Sequence, residues 1–531
     1  MSSRSCSWSN PDGATIVSDI LLVAGGQVYD HDGDVHHPAV ADILVIDGRI
    51  AAVRPGIAEA LRGGAPVPEI AGRTVGRTID AAGRLVIPGF VNAHYHSHDV
   101  LLKGCFETIP LELWVLSALP PAFPKRSKEE LRVRTLLGAA ECLRSGITTV
   151  QDLATVFPYD EEHVDTILQA YEDVGIRCVF ALQIADVPGA KSIPFWEETV
   201  PEEMRKGLSG AVEPFKGQKS LSDTVKDLFD SRKDRYKCVS WALGPSSPER
   251  CSEELLRQLA AFSKEANLPV YTHVYESKAM TLIARQTHTR DKGSLVQYLD
   301  RCGLLNPRMS MAHSVWMLPE EIKLIADRGA NVVLNPVGNL KTRSGIAPIR
   351  GYVDAGVHVG LGCDNCSCSD CQNMFQSMKM FASLAAVTDP EPGPPTAADA
   401  LSAATRAGAR GAMMGDRLGE IKAGFAADFS IIDLNDPSFV PLNSAVRQLV
   451  FTEAGRGVET VVVDGKVVVD KRKVASIDEA ALYAEAAELA KGLMKDLEGV
   501  QGRLAKLMPY LLEAHRKTWA EDVGTHRYVG H

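Results

Sequence analysis

Between residues 85 and 365, short apolar runs alternate with stretches that repeat hydrophobic residues every three or four positions. The runs are LVIPGFVNAH (85–94), GITTVQDLA (146–154), IRCVFALQIA (176–185), CVSWALGPSS (238–247), LPVYTHVYES (268–277), MSMAHSVW (309–316), NVVLNPVGN (331–339) and VHVGLGCDN (357–365). Short runs this rich in apolar residues fit strands buried on both faces, and the intervening period fits covering helices. Eight such units predict a (β/α)8 TIM barrel, an α/β fold whose chemistry gathers at the C-terminal ends of its strands.

A different grammar flanks the barrel. DILLVAGGQVYD, ADILVIDGRIAAVRPG and RTIDAAGRLVIPG near one end, and AADFSIIDLNDP and VETVVVDGKVVVDKRKV near the other, are strand-like runs. Asp-Gly, Gly-Gly and Ala-Gly turns punctuate them as in hairpins. Both sets can join in one small β-domain, and His36 and His37 read as turn residues beside a hairpin. Pro188 to Lys237 is longer than an ordinary connection and reads equally as a lid or a helical surface insertion. After Ser476 the chain predicts two amphipathic helices, packed on the barrel or on a partner subunit. The expected division is 1–84 and 423–475 for the β-domain, 85–422 for the barrel and 476–531 for the helical tail.

Composition narrows the function classes. At 531 residues there is room for a large barrel with an appended domain. The 45% hydrophobic and 23% charged residues are those of a soluble globular protein. A formal charge of −10 gives no electrostatic footprint for nucleic acid. No apolar run reaches the roughly 18 residues of a membrane span. The opening MSSRSCSWSNPDG lacks the apolar core of a secretory signal. The 11 cysteines, odd in number and scattered, therefore read as reduced thiols of a cytoplasmic protein.

Polar residues at the predicted strand ends carry the chemistry. His94 and His96 alternate on the first strand, so both imidazoles can face one side. His273 closes the fifth with Glu276 three positions on, His313 closes the sixth, and Asp364 closes the eighth. Histidines joined by one carboxylate suit a divalent transition metal such as zinc or Fe(II), with a position left for water. His98, one alternate position further on, reads as a loop histidine, a residue behind the ligands or a substrate contact.

PGFVNAHYH, THVYES, AHSVW, NPVGNLKTRSGIAP, LGCDN…MF and GDRLGEIKAGFAADFSIID occur in this order within residues 19 to 475. They resemble the metal-dependent amidohydrolase superfamily, in particular its deaminase and chlorohydrolase branch, which includes S-adenosylhomocysteine deaminases and triazine hydrolases. The resemblance implies that the flanking β-rich segments form a composite β-sandwich. It implies one metal ion, zinc first and Fe(II) or another transition metal next, held by His94, His96, His273 and Asp364. Glu276 would shuttle protons, His313 would orient a metal-bound hydroxide or polarise the substrate, and Asp364 would also accept the water's proton. Lys103, Trp114 and Trp316 would line the pocket, and His98 and Asn339 would contact substrate. Dinuclear members carry a bridging lysine on strand three or four; neither strand has one here, so one metal is expected. Gly338 stands where the superfamily commonly has a serine before the asparagine.

The implied reaction is hydrolytic cleavage of a C–N bond at a trigonal carbon of a small molecule. It covers deamination of an aminated heterocycle and hydrolysis of an amide, urea or carbamate, xenobiotics included. Dechlorination of a chlorotriazine-like ring is the alternative. Readings of another class are a non-catalytic scaffold, which would predict broken ligands, and a hydrolase with a cysteine nucleophile. The last is raised by GLGCDNCSCSDCQNMF (360–375), which holds Cys363, Cys366, Cys368 and Cys371. Their C-x2-C-x-C-x2-C spacing is not a usual zinc or iron–sulfur pattern, so pocket lining is expected rather than a second cofactor. The tail and the superfamily's habit point to a homo-oligomer, with no nucleic-acid or membrane partner.

Overall fold

The computed structural model describes residues 20–209 and 220–528; the polar N-terminal stretch and part of the long insertion lie outside the described residues. The central runs form the strands Phe90–His96, Ile147–Ala154, Arg177–Ile184, Val239–Trp241 with Gly244–Pro245, Val270–Val274, Met309–His313, Asn331–Leu334, and His358–Leu361 with Asp364–Asn365. Neighbours in sequence pair in parallel. Two contacts close the ring. Leu243 bridges Val270 between the fourth and fifth strands. Asp364 and Asn365 pair with Tyr95 and His96, which seats the last strand's aspartate beside the first strand's histidines.

The run 85–94 divides between two sheets. Arg84–Pro88 lies in the flanking sheet and the barrel strand begins at Phe90. Gly89 is the pivot: a Cβ there would stand 2.3 Å from the Thr148 side chain. Arg84–Pro88 pairs antiparallel with Phe429–Asp433 and in parallel with Ile20–Val28. One 9-stranded sheet thereby draws strands from both sides of the barrel in sequence.

Covering helices show the expected amphipathy. In Glu161–Val174 the buried Val164, Ile167, Leu168, Tyr171 and Val174 recur three and four apart. Asp160 caps its start by accepting the Glu162 N–H at 2.9 Å, and Gly175 at φ 81 ends it. The insertion is helical where it is described, with Trp196–Thr199, Glu202–Ser209 and Leu221–Arg232. The tail forms Glu479–Ala505 and Met508–Ala520, and its Leu493, Leu497, Val500 and Leu511 cluster with Leu111, Leu113 and Trp114 of Leu111–Ala118. Its apolar stripe is thus covered by its own chain. Among the described residues no helix is long and apolar enough to cross a membrane. The expectation of reduced thiols holds for nine cysteines among the described residues and is corrected at Cys238, at the head of the fourth barrel strand, which is disulfide-bonded.

Gly89→Ala forces a methyl group into Thr148. The expected cost is about 1–3 kcal/mol, the usual range for overpacking, measured as a lower midpoint of thermal unfolding. An unchanged midpoint would refute the close approach.

Candidate metal centre

The expected ligands sit where barrel strands give out. His94 and His96 share the inner face of Phe90–His96. His273 is the penultimate residue of Val270–Val274, His313 ends Met309–His313, and Asp364 opens the closing segment. His313 (φ 68) and Asp364 (φ 63) adopt left-handed backbone that non-glycine residues rarely take. Such strain persists only where the surrounding structure over-determines it, as at functional sites.

Four donor atoms converge. His94 Nε2 and His96 Nε2 are 3.1 Å apart, and His96 Nε2 and His273 Nε2 are 3.4 Å apart. Asp364 Oδ1 lies 3.5 Å from His94 Nε2 and 3.6 Å from His96 Nε2. Ligands on a tetrahedral zinc, bonded at roughly 2.0–2.1 Å, stand about 3.3 Å from one another. The donor set therefore fits a metal ion in its midst.

Protonation agrees with that fit. His96 Nδ1 donates to the Leu153 carbonyl at 2.6 Å and His273 Nδ1 to the Ser246 carbonyl at 2.5 Å, leaving each Nε2 lone pair for the centre. Burial pushes His96 down to about 3 and His273 to about 4. Burial and the neighbouring imidazoles hold His94 well below the usual histidine range. All three are neutral at physiological pH, the form that ligates metal.

His313 is set differently. The side-chain amides of Asn339 and Asn335 donate to its Nδ1 at 3.0 and 3.3 Å, so its proton sits on Nε2. That nitrogen is buried with no hydrogen-bond partner among the described residues, 3.4 Å from Glu276 Oε2. Burial pushes Glu276 well above the carboxylate range, with repulsion from Asp364, Glu112 and Glu249 adding to it. A neutral carboxylic acid thus stands beside the donor set. Asp364 is pushed up to about 7 by burial, against which the Asn365 N–H and the Cys368 thiol act.

A cavity of about 240 Å³ opens over these groups, with Leu111, Trp114, Leu119, Val156, Ile184 and Met280 on its apolar part. Gln183, Ser246, Ser247, Glu249 and Arg250 supply a polar part. A larger cleft of about 720 Å³, lined by Arg177, Val239, Leu268 and Met414 at the opposite ends of the strands, holds none of the ligands.

His98 and Trp114 line the cavity, and Trp114 Nε1 donates to Ser367 Oγ at 3.1 Å. The other three expected contacts fall elsewhere. Lys103 points to the surface, its Nζ 2.6 Å from Glu141 Oε2. Trp316 is fully buried behind the wall, donating to the Ser344 carbonyl at 2.7 Å and packing on Trp519 of the tail. Asn339 reaches His313 rather than the cavity. Each is drawn away by a better partner on its own side.

The four cysteines diverge. Cys363 Sγ faces Ser377 Oγ at 3.8 Å, Cys366 Sγ receives the Gln372 amide at 3.4 Å, and Cys371 Sγ faces Gln376 Oε1 at 3.1 Å. Among the described residues the groups that could hold a metal contain no cysteine. Cys368 differs from the rest: its one S–H has two acceptors in reach, the Asn365 carbonyl at 3.3 Å and Asp364 Oδ2 at 3.5 Å. Gly338 makes room for it, since a Cβ there would stand 2.9 Å from Asp364 Oδ2 and 3.2 Å from Cys368 Sγ. The thiol occupies the space beside the ligand that a side chain at 338 would take.

Sequence reasoning missed the residues that brace this arrangement. Asp99 accepts the Cys366 and Ser367 N–H groups at 3.1 and 3.0 Å. Gln372 donates to the Asp364 carbonyl and accepts from Asn92, each at 2.8 Å. Asp99 carried the one available signal, a carboxylate inside NAHYHSHD.

Comparisons with known proteins fall in line with this geometry. The family model described as "Amidohydrolase family" matches residues 85–468. A 5-methylthioadenosine/S-adenosylhomocysteine deaminase of Thermococcus kodakarensis is 31% identical over 448 residues, covering 84% of this chain and 93% of its own. A 5'-deoxyadenosine deaminase of Methanothermobacter thermautotrophicus is 29% identical over 486 residues, 91% of this chain and all (100%) of its own. Among solved structures, a zinc-bound adenosine deaminase from Xanthomonas campestris superposes with a TM-score of 0.75 at 26% identity, covering 90% of this chain and 98% of that one. A zinc complex of an atrazine chlorohydrolase from Arthrobacter aurescens gives 0.75 at 25% identity, covering 88% and 100%.

Cys368→Ala removes the donor to Asp364 and is expected to weaken metal binding about tenfold or more, the scale of lost hydrogen bonds to ligands. Cys368→Ser keeps a donor and should stay within about threefold of wild type. Competition with a chromophoric chelator measures both; three equal dissociation constants would sink the role.

Proposed function

This chain belongs to the amidohydrolase family, a metal-dependent hydrolase acting on carbon–nitrogen bonds, and from that premise we propose that it deaminates an aminated heteroaromatic ring with one zinc ion per chain. The observation that carries this reading is the pairing of a four-donor metal site with a carboxyl held neutral beside it. His94, His96, His273 and Asp364 would hold the ion. When bound, a divalent metal supplies Lewis acidity that activates water for attack near neutral pH.

The remaining roles follow from proton positions. Water adds to the amine-bearing carbon, the C–N bond breaks, ammonia leaves and the ring keeps a carbonyl oxygen. Amide ions are poor leaving groups, so departure needs a proton. Glu276, kept protonated by burial and by its acidic neighbours, is placed to deliver one and to recover another from the attacking water. His313, with its proton on Nε2, orients oxygen at the attacked carbon. Asp364 stands where it can both ligate and take up a proton.

The rival readings lack such support. Dechlorination is less supported: departing chloride calls for no proton where a departing amine does, and the sequence relatives are deaminases of adenine-derived compounds. A cysteine nucleophile needs a thiolate, and burial holds Cys363, Cys366 and Cys368 as thiols. None of the three lines the cavity. A non-catalytic scaffold would have no reason to keep the complete donor set.

Glu276→Gln should retain about one metal equivalent while kcat falls about 10²–10⁴-fold, the scale of an acid–base residue. Removing metal with a chelator should abolish turnover of aminated heterocycles, and zinc should restore it. Full activity in thoroughly metal-free protein, or an unimpaired Glu276→Gln enzyme, would overturn the reading.

A further inference from the structure

One polar group in the catalytic cavity is left unexplained by proton transfer and metal binding. Glu249 lies on the short turn Pro248–Arg250 after the fourth barrel strand and lines the cavity with His96, Glu276, His313 and Asp364. Its two carboxyl oxygens are not equivalent. Oε1 accepts from Ser247 Oγ at 2.6 Å. Oε2 is buried and has no hydrogen-bond partner among the described residues.

The adjacent cation does not compensate it. Arg250 Nε donates to the Val187 carbonyl at 2.8 Å, and its guanidinium lies against Gly189. Among the described residues no lysine or arginine forms an ion pair with Glu249. Burial raises its pKa, with Ser247 and the Arg250 charge acting the other way. A buried acceptor without a donor is rare in folded proteins, and in a substrate cavity the missing donor has a natural source.

We infer that Glu249 is a substrate-binding residue whose Oε2 accepts a hydrogen bond from a second donor, N–H or O–H, on the aminated heterocycle. The inference rests on the deaminase reading and narrows its substrate class. The substrate carries a donor besides the amine that leaves, either a second amine on the ring or a hydroxyl on an appended sugar. Both offer the same chemistry to Oε2.

Glu249→Gln tests this with little change of shape. Ser247 Oγ is a donor to Oε1, so the glutamine carbonyl oxygen takes that place and the amide NH2 replaces Oε2, turning an acceptor into a donor. Glu249→Ala, which removes both, is the second variant. The zinc-loaded full-length enzymes are assayed with 9-methyladenine, which has no second donor, with 2,6-diamino-9-methylpurine and with adenosine. Melting temperature and metal content equal to wild type establish that the variants are folded.

In wild type, kcat/KM for at least one donor-bearing compound should exceed that for 9-methyladenine by about 30-fold or more, the discrimination expected of a site built around a hydrogen bond. In both variants that ratio should collapse to within about threefold. The compound whose advantage disappears identifies the donor, ring amine or sugar hydroxyl. A wild-type ratio near one, or a ratio that survives both substitutions, overturns the inference. If none of the three is turned over, the deaminase reading fails, and calorimetric binding of the same compounds decides the inference separately. A preference for a donor-bearing compound that Glu249→Gln abolishes supports it, and the absence of one overturns it.

Discussion

The hydrogen bonds from His96 Nδ1 to the Leu153 carbonyl and from His273 Nδ1 to the Ser246 carbonyl set the chemistry of this cavity. Each carbonyl belongs to a neighbouring barrel strand or its C-terminal continuation, the following strand for His96 and the preceding one for His273. A ring on one strand is therefore locked by the backbone beside it, and its Nε2 lone pair must face the barrel axis. Imidazoles brought together at 3.1 and 3.4 Å, those of His96 and His273 with their Nε2 lone pairs inward, form a donor set that suits a cation. His313 has the opposite setting. Two asparagine amides take its Nδ1, so it presents a proton where His96 and His273 present lone pairs.

Burial then divides the labour among the carboxyls. Glu276 and Asp364 share one cavity, and both are pushed upward by loss of water. Asp364 Oδ1 lies within reach of the His94 and His96 Nε2 atoms, which suit a shared cation, whereas Glu276 Oε2 lies beside His313 Nε2. The same desolvation thus acts on two carboxyls whose neighbours differ, one beside imidazole lone pairs and one beside an imidazole N–H. Glu249, further along the wall, has a hydroxyl on one oxygen and, among the described residues, no donor on the other.

The rest of the chain holds these groups still. The closing pair Asp364–Asn365 with Tyr95–His96 joins the last strand to the first, and Asn92, Asp99 and Gln372 fasten the turn that follows. Cys368 fills the space left by Gly338 and reaches the ligand, so the cysteine-rich loop serves the metal site through one thiol and a glycine opposite it. Outside this, the tail packs on the helix that carries Glu112 and Trp114, which makes the cavity wall depend on the chain's last helices.

The barrel, and the placement of the four candidate ligands with Glu276 and His313 at its strand ends, were legible because period and position suffice for them. A buried parallel strand announces itself as an apolar run, and the polar residues that end such runs must face the catalytic end. What period does not encode is which partner lies across the sheet. His96 finding the Leu153 carbonyl, Lys103 turning to Glu141, Trp316 sinking beneath Trp519 and Cys368 meeting Asp364 over Gly338 all join residues on different elements. The sequence by itself determined which residues would end the strands. Only the tertiary structure decided which nitrogen holds each proton and which oxygen is left without a donor, because those outcomes turn on contacts between elements that local pattern cannot specify.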